Sequence, residues 1–229
     1  MRERIAAAGP GEPSASASAD TQTGGDDGAP LSLRDEQRQL TRRRIADAAL
    51  TTFREKGYLA ATVDDIVARA RTSRATFYQH FANKLAALQF ASVDVESWSY
   101  DTYDLLREGP LTRDKVFEMV TAVFQHWRDN AELLRVLIEA EAVEPERLAR
   151  NMRGMEQAVD RTFGAQLERF SGRELEVVRV ELFMAGMVTA RYMAYEFASD
   201  RQRTDLSVPI EAMTNVLWSI LSPRLDPSA

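Results

Sequence analysis

The chain has 229 residues and a mass of 25.8 kDa, with 45% apolar and 28% charged residues, values of an ordinary globular protein. It contains no cysteine, which excludes disulfides, thiolate metal sites and cysteine nucleophiles, and its two histidines, His80 and His126, are too few for a histidine-based zinc triad. The net charge of −6 is unevenly spread: residues 34–84 carry eleven Lys/Arg against six Asp/Glu, a local +5, while residues 85–229 sum to −8 and residues 1–33 to −3. A small basic unit on an acidic body is compatible with a polyanionic partner, because cations beside a duplex release counterions whatever the rest of the protein carries.

Residues 1–33 are mostly Ala, Gly, Ser, Thr, Asp and Pro and cannot bury enough apolar surface to offset their ordering entropy; they are expected to be a disordered extension. Arg2 and Arg4 make a poor basic arm, and Ile5 to Ala8 is too short for a signal-peptide core. From Arg34 the pattern is helical. Ile45, Ala48, Ala49 and Phe53 recur at helical steps, and Lys56-Gly57 reads as a last turn with its terminating glycine. Thr62 and Asp65 form a capping box for a short helix with Ile66, Val67 and Ala70, and Ser73 caps a second one through His80. Asn83 caps a long helix expected to reach about Arg107, before Gly109-Pro110. Further helices are expected at 113–129, 131–142, 145–170, 173–199 and 208–222. No strand-like alternation competes and no uncharged run is long enough to span a membrane. The expected fold class is all-α, with a small front domain (34–84) and a larger helical domain (85–229).

Two helices of about eight residues joined by a turn at 71–73 make a helix-turn-helix. Ile66, Val67, Ala70 and Phe77 lock the second helix across the first, with Tyr58 and Phe81 closing the core. Arg74, Thr76, Gln79 and part of Tyr78 are left outside, able to meet base edges or phosphates in a major groove.

The run Gly57 to Ile66, followed by Ser73 to Phe81 and Lys84, resembles the DNA-binding domain of the tetracycline-repressor (TetR) family over roughly residues 41–88. The resemblance implies a homodimeric transcription regulator whose larger domain binds a small inducing molecule. By position it implies phosphate contact by Thr62, base reading by Arg74, Ala75 and Thr76, and backbone contact by Tyr78, His80 and Lys84. Ser73 and Gln79 lie on the same surface. Lys84 opens a helix whose first amides already favour an anion. Thr62 and Ser73 also read simply as caps, and His80 as a helix end. Where the family has glycine in the turn, this chain has Arg71, a residue that enters the left-handed region at a cost of roughly 1 kcal/mol. Either its guanidinium gains a phosphate or the turn differs. The family's acidic residue after the lysine is replaced by Leu85.

The helices expected at 173–199 and 208–222 carry more apolar residues than one face holds, and with the resemblance this implies a four-helix interface between two copies. Trp98, Tyr103, Phe124, Trp127, Met152, Met155, Phe183 and Met187 are the candidate lining of a cavity for an apolar or aromatic ligand, with plain core as the alternative for each. Glu139, Glu141 and Glu144 fix no acid–base pair and read as a solvated face. The expected function is a cytoplasmic, ligand-released repressor of a palindromic DNA operator, with no cofactor, no metal, no membrane partner and no catalysis. An activator or a ligand-independent regulator remains the alternative, and an enzyme using the helical cavity a remote one.

Overall fold

The computed structural model describes residues 32–198 and 205–225; most of the N-terminal extension lies outside the described residues. The described chain is helical, with no strand. Helix α1 spans Leu33–Lys56, α2 Val63–Arg69, α3 Arg74–His80, α4 Lys84–Asp101, α5 Arg113–Asp129, α6 Ala131–Val143, α7 Pro145–Leu167, α8 Gly172–Ala198 and α9 Ser207–Leu225. Side-chain caps start five of them: Ser32, Thr62, Ser73, Asn83 and Thr112 each accept from a backbone N–H three residues on. Pro145 starts α7, where a missing N–H costs nothing.

Expected and observed helices differ most after α4. The helix expected to reach Arg107 stops at Asp101 and tightens into a 3₁₀ segment, Thr102–Leu106. Thr102 Oγ1 donates back to the Trp98 carbonyl at 2.9 Å, an acceptor the α-helical ladder uses, and the tighter pitch leaves Leu106 buried. Gly109, at φ 67°, then turns the chain into Pro110. Helix α7 stops at Leu167, three residues before its expected end.

Buried apolar side chains form one contiguous cluster from Ile45 in α1 to Leu221 in α9. Helix α1 packs on α2, α4 and α6; α6 also packs on α7 and α8, and α5 packs on α9. Ile66, Val67, Ala70, Phe77, Tyr58 and Phe81 are all buried, as the helix-turn-helix reading requires. Along α8, Val178, Leu182, Ala185, Met193 and Phe197 face this core, whereas Val177, Val180, Met184, Val188 and Tyr195 stay between two-fifths and three-fifths exposed.

Candidate nucleic-acid interface and ligand cavity

Thr62 and Asp65 form the full capping box. Thr62 Oγ1 accepts from Asp65 N at 3.2 Å, and the Asp65 carboxylate accepts from Thr62 N at 3.0 Å and from its hydroxyl at 2.8 Å. The Lys56 ammonium, bonded to the same carboxylate, leads these bonds in lowering the Asp65 pKa to about 2. Helix α2 ends on Ala70, and Arg71 follows at φ 50°. Thr72 N donates to Val67 O at 3.0 Å and Arg71 N to Ala68 O at 3.3 Å, the paired bonds of a Schellman stop. The turn therefore keeps the geometry that glycine usually supplies, with an exposed arginine in the left-handed position.

Ser73 Oγ accepts from Thr76 N at 3.0 Å and shares a hydrogen bond with the Thr76 hydroxyl at 2.9 Å. With Phe77 fully buried beneath them, Arg74, Ala75, Tyr78 and Gln79 are exposed and Thr76 and His80 half-buried. Tyr78 sets its ring edge-on to Phe77 at 5.4 Å. Arg74 lies 3.1 Å from Asp64 Oδ2 in a solvated pair, a weak tether in water. Lys84 is engaged inward: its Nζ donates to Tyr58 O at 2.8 Å and Ala61 O at 3.1 Å and sits 4.3 Å from the Tyr58 ring centre. Two of its three N–H bonds thus close the α1–α2 turn, leaving one for an outside acceptor. Burial lowers its pKa, with Glu144 opposing.

The front half of α1 borders the exposed face of α3. Arg34, Arg38 and Thr41 share one surface depression with Thr76, Gln79 and His80, and Arg38 and Arg42 share a second with His80. Burial, then Arg38 and Arg42, push the His80 imidazole below its usual pKa. The sequence reading did not single out these arginines, although Arg34, Arg38 and Arg42 stand at i, i+4, i+8, a stripe along one helical flank.

The expectation of a solvated carboxylate face on α6 is overturned. Glu139 Oε2 accepts from Tyr58 N at 2.7 Å, and Glu144 Oε1 accepts from Tyr58 OH at 2.7 Å. Glu141 belongs to a second cluster centred on Arg147, which is 2% exposed. The Arg147 guanidinium reaches Glu96 Oε2 at 3.1 Å, Glu141 Oε1 at 3.7 Å and the Leu137 carbonyl at 3.3 Å. Asn151 Nδ2 donates to Glu141 at 3.0 Å, and Tyr100 OH donates to Asn151 Oδ1. Burial raises the Glu141 pKa, which Arg147 opposes.

This cluster is the polar end of a cavity of about 180 Å³ between α4, α6, α7 and α8, and Tyr103, Trp127, Met152, Met155 and Met187 line its apolar end. Five of the eight expected lining residues therefore meet there. The other three line neither this cavity nor the smaller one beside it. Trp98 stacks on His126 at 4.0 Å, Phe124 packs between Tyr192 and Phe197, and Phe183 is half-buried elsewhere on α8. Among the described residues no group of carboxylates and histidines is arranged to hold a metal, and no helix is long and apolar enough to cross a membrane.

Residues 45–88 match the family described as bacterial regulatory proteins, tetR family. Residues 45–88 are thus a TetR-family segment. Its helix-turn-helix, α2–α3, lies wholly inside the matched segment. A relative described as the HTH-type transcriptional activator FasR of Mycolicibacterium smegmatis is 28% identical over 192 residues, covering 82% of this chain and 84% of that one. Two solved structures share the fold. A tetR-family transcriptional regulator from Streptomyces coelicolor has a TM-score of 0.59 at 16% identity, covering 80% of each chain. The regulator FadR of Bacillus subtilis, in complex with stearoyl-CoA, has 0.58 at 17% identity, covering 76% of this chain and 96% of that one. Beyond the TetR-type segment, the helices share the fold of these structures at low identity.

Proposed function

We propose that this protein is a homodimeric DNA-binding regulator that reads a palindromic operator and is released by an apolar small molecule. The observation that carries the reading is the exposed face of α3. It presents Arg74, Ala75, Thr76 and Gln79 above a buried Phe77, beside the Arg34–Arg38–Arg42 stripe of α1. Base reading falls to Arg74 and Thr76. Phosphate contact falls to Thr62, Ser73, Tyr78, His80 and the remaining Lys84 donor. Residues 34–84 form the reading domain and residues 85–229 the ligand and dimer domain, and its site of action is the cytoplasm, where the chromosome lies. Two copies pair through α8 and α9, because the exposed stripe Val177, Val180, Met184, Val188, Tyr195, with Val216 on α9, leaves apolar area in water that a second copy removes.

The ligand acts through its differential affinity for two dimer forms. Helix α6 gives Leu134, Leu137, Ile138 and Glu141 to the cavity wall and Glu139 to the α1–α2 turn, so a shift of α6 that better accommodates ligand also moves the turn. Release makes the protein a repressor when the operator overlaps a promoter. The relative FasR, described as an activator, supports the opposite sign, and a reporter with the operator placed upstream or across a promoter separates the two.

The test is selection of bound duplexes from a random DNA pool, repeated with apolar ligands. The expected product is an inverted repeat, bound in a strongly salt-dependent way. Arg74→Ala and Thr76→Ala should each relax base preference by about 1–3 kcal/mol. Unaltered preference in both variants, or a flat salt response, overturns the reading.

A further inference from the structure

The front half of α1 holds cations without a counter-charge. Arg34 and Arg38 are exposed and pair with no carboxylate among the described residues, whereas Arg42 lies over the Phe90 ring at 4.4 Å and the Phe81 ring at 5.3 Å. Among the described residues, Asp35 alone brings a carboxylate to the two depressions beside α3, and it accepts from the Ser32 hydroxyl at 2.7 Å. Ser32 itself lines the outer depression together with Arg34 and Arg38. The chain therefore enters the described structure on the very surface that presents these two guanidiniums. The segment ahead of Ser32 has the opposite charge: between Arg4 and Arg34 it carries Glu12, Asp20, Asp26 and Asp27 and no lysine or arginine. Asp27 precedes Ser32 by five positions, a reach of at most about 17 Å. Arg34 and Arg38 stand one helical turn apart, about 6 Å. Two adjacent carboxylates thus fall within range of two adjacent guanidiniums. Because the encounter is intramolecular, solvated pairs too weak to join separate molecules are populated here.

We propose that the acidic segment preceding α1 docks on this surface, with Asp26 and Asp27 paired to Arg34 and Arg38, and occupies in the free protein the cations that meet DNA phosphate in the complex. This rests on the proposed DNA-binding reading. Duplex of any sequence has to displace the two carboxylates, so operator and unrelated DNA are weakened by the same factor and base preference is untouched. Salt weakens the solvated pairs as well as the DNA contacts. The segment's inhibition is therefore strongest in dilute buffer, and it makes the salt dependence of DNA binding shallower than the cations alone would give.

The experiment compares the full chain with its Asp26→Asn/Asp27→Asn variant, first without DNA. In dilute buffer the double substitution should shift the NMR amide resonances of Arg38, Thr41 and Gln79, which lie too far along the chain for a neighbour effect, and high salt should abolish the difference. Fluorescence-anisotropy titrations then use the selected operator and an unrelated duplex. The variant should bind both about five-fold tighter at roughly 0.05 M salt and less than two-fold tighter at roughly 0.3 M. In an Arg34→Gln/Arg38→Gln background the same neutralisation should change neither affinity. A five-fold gain persisting there marks plain repulsion between segment and DNA and overturns the docking, as do unshifted resonances or equal affinities of variant and wild type. Shifted resonances in a protein that retains no duplex leave the docking standing and remove the DNA-binding reading; base-selective binding with unshifted resonances does the reverse.

Discussion

The backbone N–H of Tyr58 donates to the Glu139 carboxylate at 2.7 Å, joining the turn ahead of the helix-turn-helix to a helix 81 positions later in the chain. The carboxylate also crowds the preceding residue: a Cβ on Gly57, whose φ is 80°, would lie 2.9 Å from Glu139 Oε2. Glu139→Ala should lower stability by about 1–3 kcal/mol by orphaning a partly buried N–H. Gly57→Ala should cost more than 1 kcal/mol through its dihedral and the clash together. Because the clash disappears with the carboxylate, Gly57→Ala should cost less in the Glu139→Ala background. Denaturant melts of the four proteins of that cycle measure the difference, and strict additivity would contradict the contact.

Arg71→Gly should stabilise the free protein by roughly 1 kcal/mol, since glycine occupies the left-handed turn position without a Cβ penalty. The salt dependence of operator binding then decides what the arginine does on DNA. A slope reduced by about 0.9 marks one lost phosphate contact; an unchanged slope leaves Arg71 as a strained residue without a DNA role.

His80 gives pH effects of opposite sign on folding and binding. Its folded pKa lies below the usual 6.5, through burial and then Arg38 and Arg42, so it favours the fold above that value and the contribution is lost as pH falls through the lowered one. A phosphate beside Arg38 and Arg42 offsets their field and raises the imidazole again. Operator binding should therefore take up a proton and tighten as pH drops from 7.5 to 6, while thermal stability declines. His80→Gln should flatten the binding profile in a fluorescence-anisotropy titration.

Arg147→Met should destabilise the protein by about 3–5 kcal/mol near neutral pH, because Glu96 and Glu141 lose their shared buried cation. Glu141 already has a raised pKa, so its contribution to stability is complete below the usual carboxylate value and disappears as pH rises through the raised one. Without the guanidinium that holds it down, this loss moves to higher pH. Thermal melts should show the variant recovering part of its deficit at pH 5.5 relative to pH 7.5.

Where one local pattern decided the outcome, the sequence was readable. Thr62 and Asp65, Ser73 and Phe77 all depend on neighbours within a few positions, and the structure places them as that spacing implies, whereas the turn at Arg71, left open by the sequence, is decided only by its φ of 50°. The Arg147 cluster depends on Glu96, 51 residues away, and a buried arginine has the same letter as a solvated one. Glu139, Glu141 and Glu144 look alike along the chain but answer to three different partners: a backbone N–H, a guanidinium with an amide, and a phenol. The end of α4 was missed because Thr102 back-bonding and the burial of Leu106 outweigh continuous helix propensity. In the cavity, aromatic and methionine content marked the correct helices, but helical phase set Trp98 and Phe124 against other neighbours.

The carboxylates that grip Tyr58 belong to the rear of the chain, while Gly57, whose bare backbone makes room for one of them, belongs to the front. A hybrid sensor assembled by grafting another protein's operator-reading segment onto this body would bring a foreign turn against Glu139 and Glu144. Such a chimera should transmit its signal only when the donor supplies a glycine and a tyrosine in register, so the seam for engineering this scaffold falls at a matched pair of surfaces and cannot be chosen from the linear order alone.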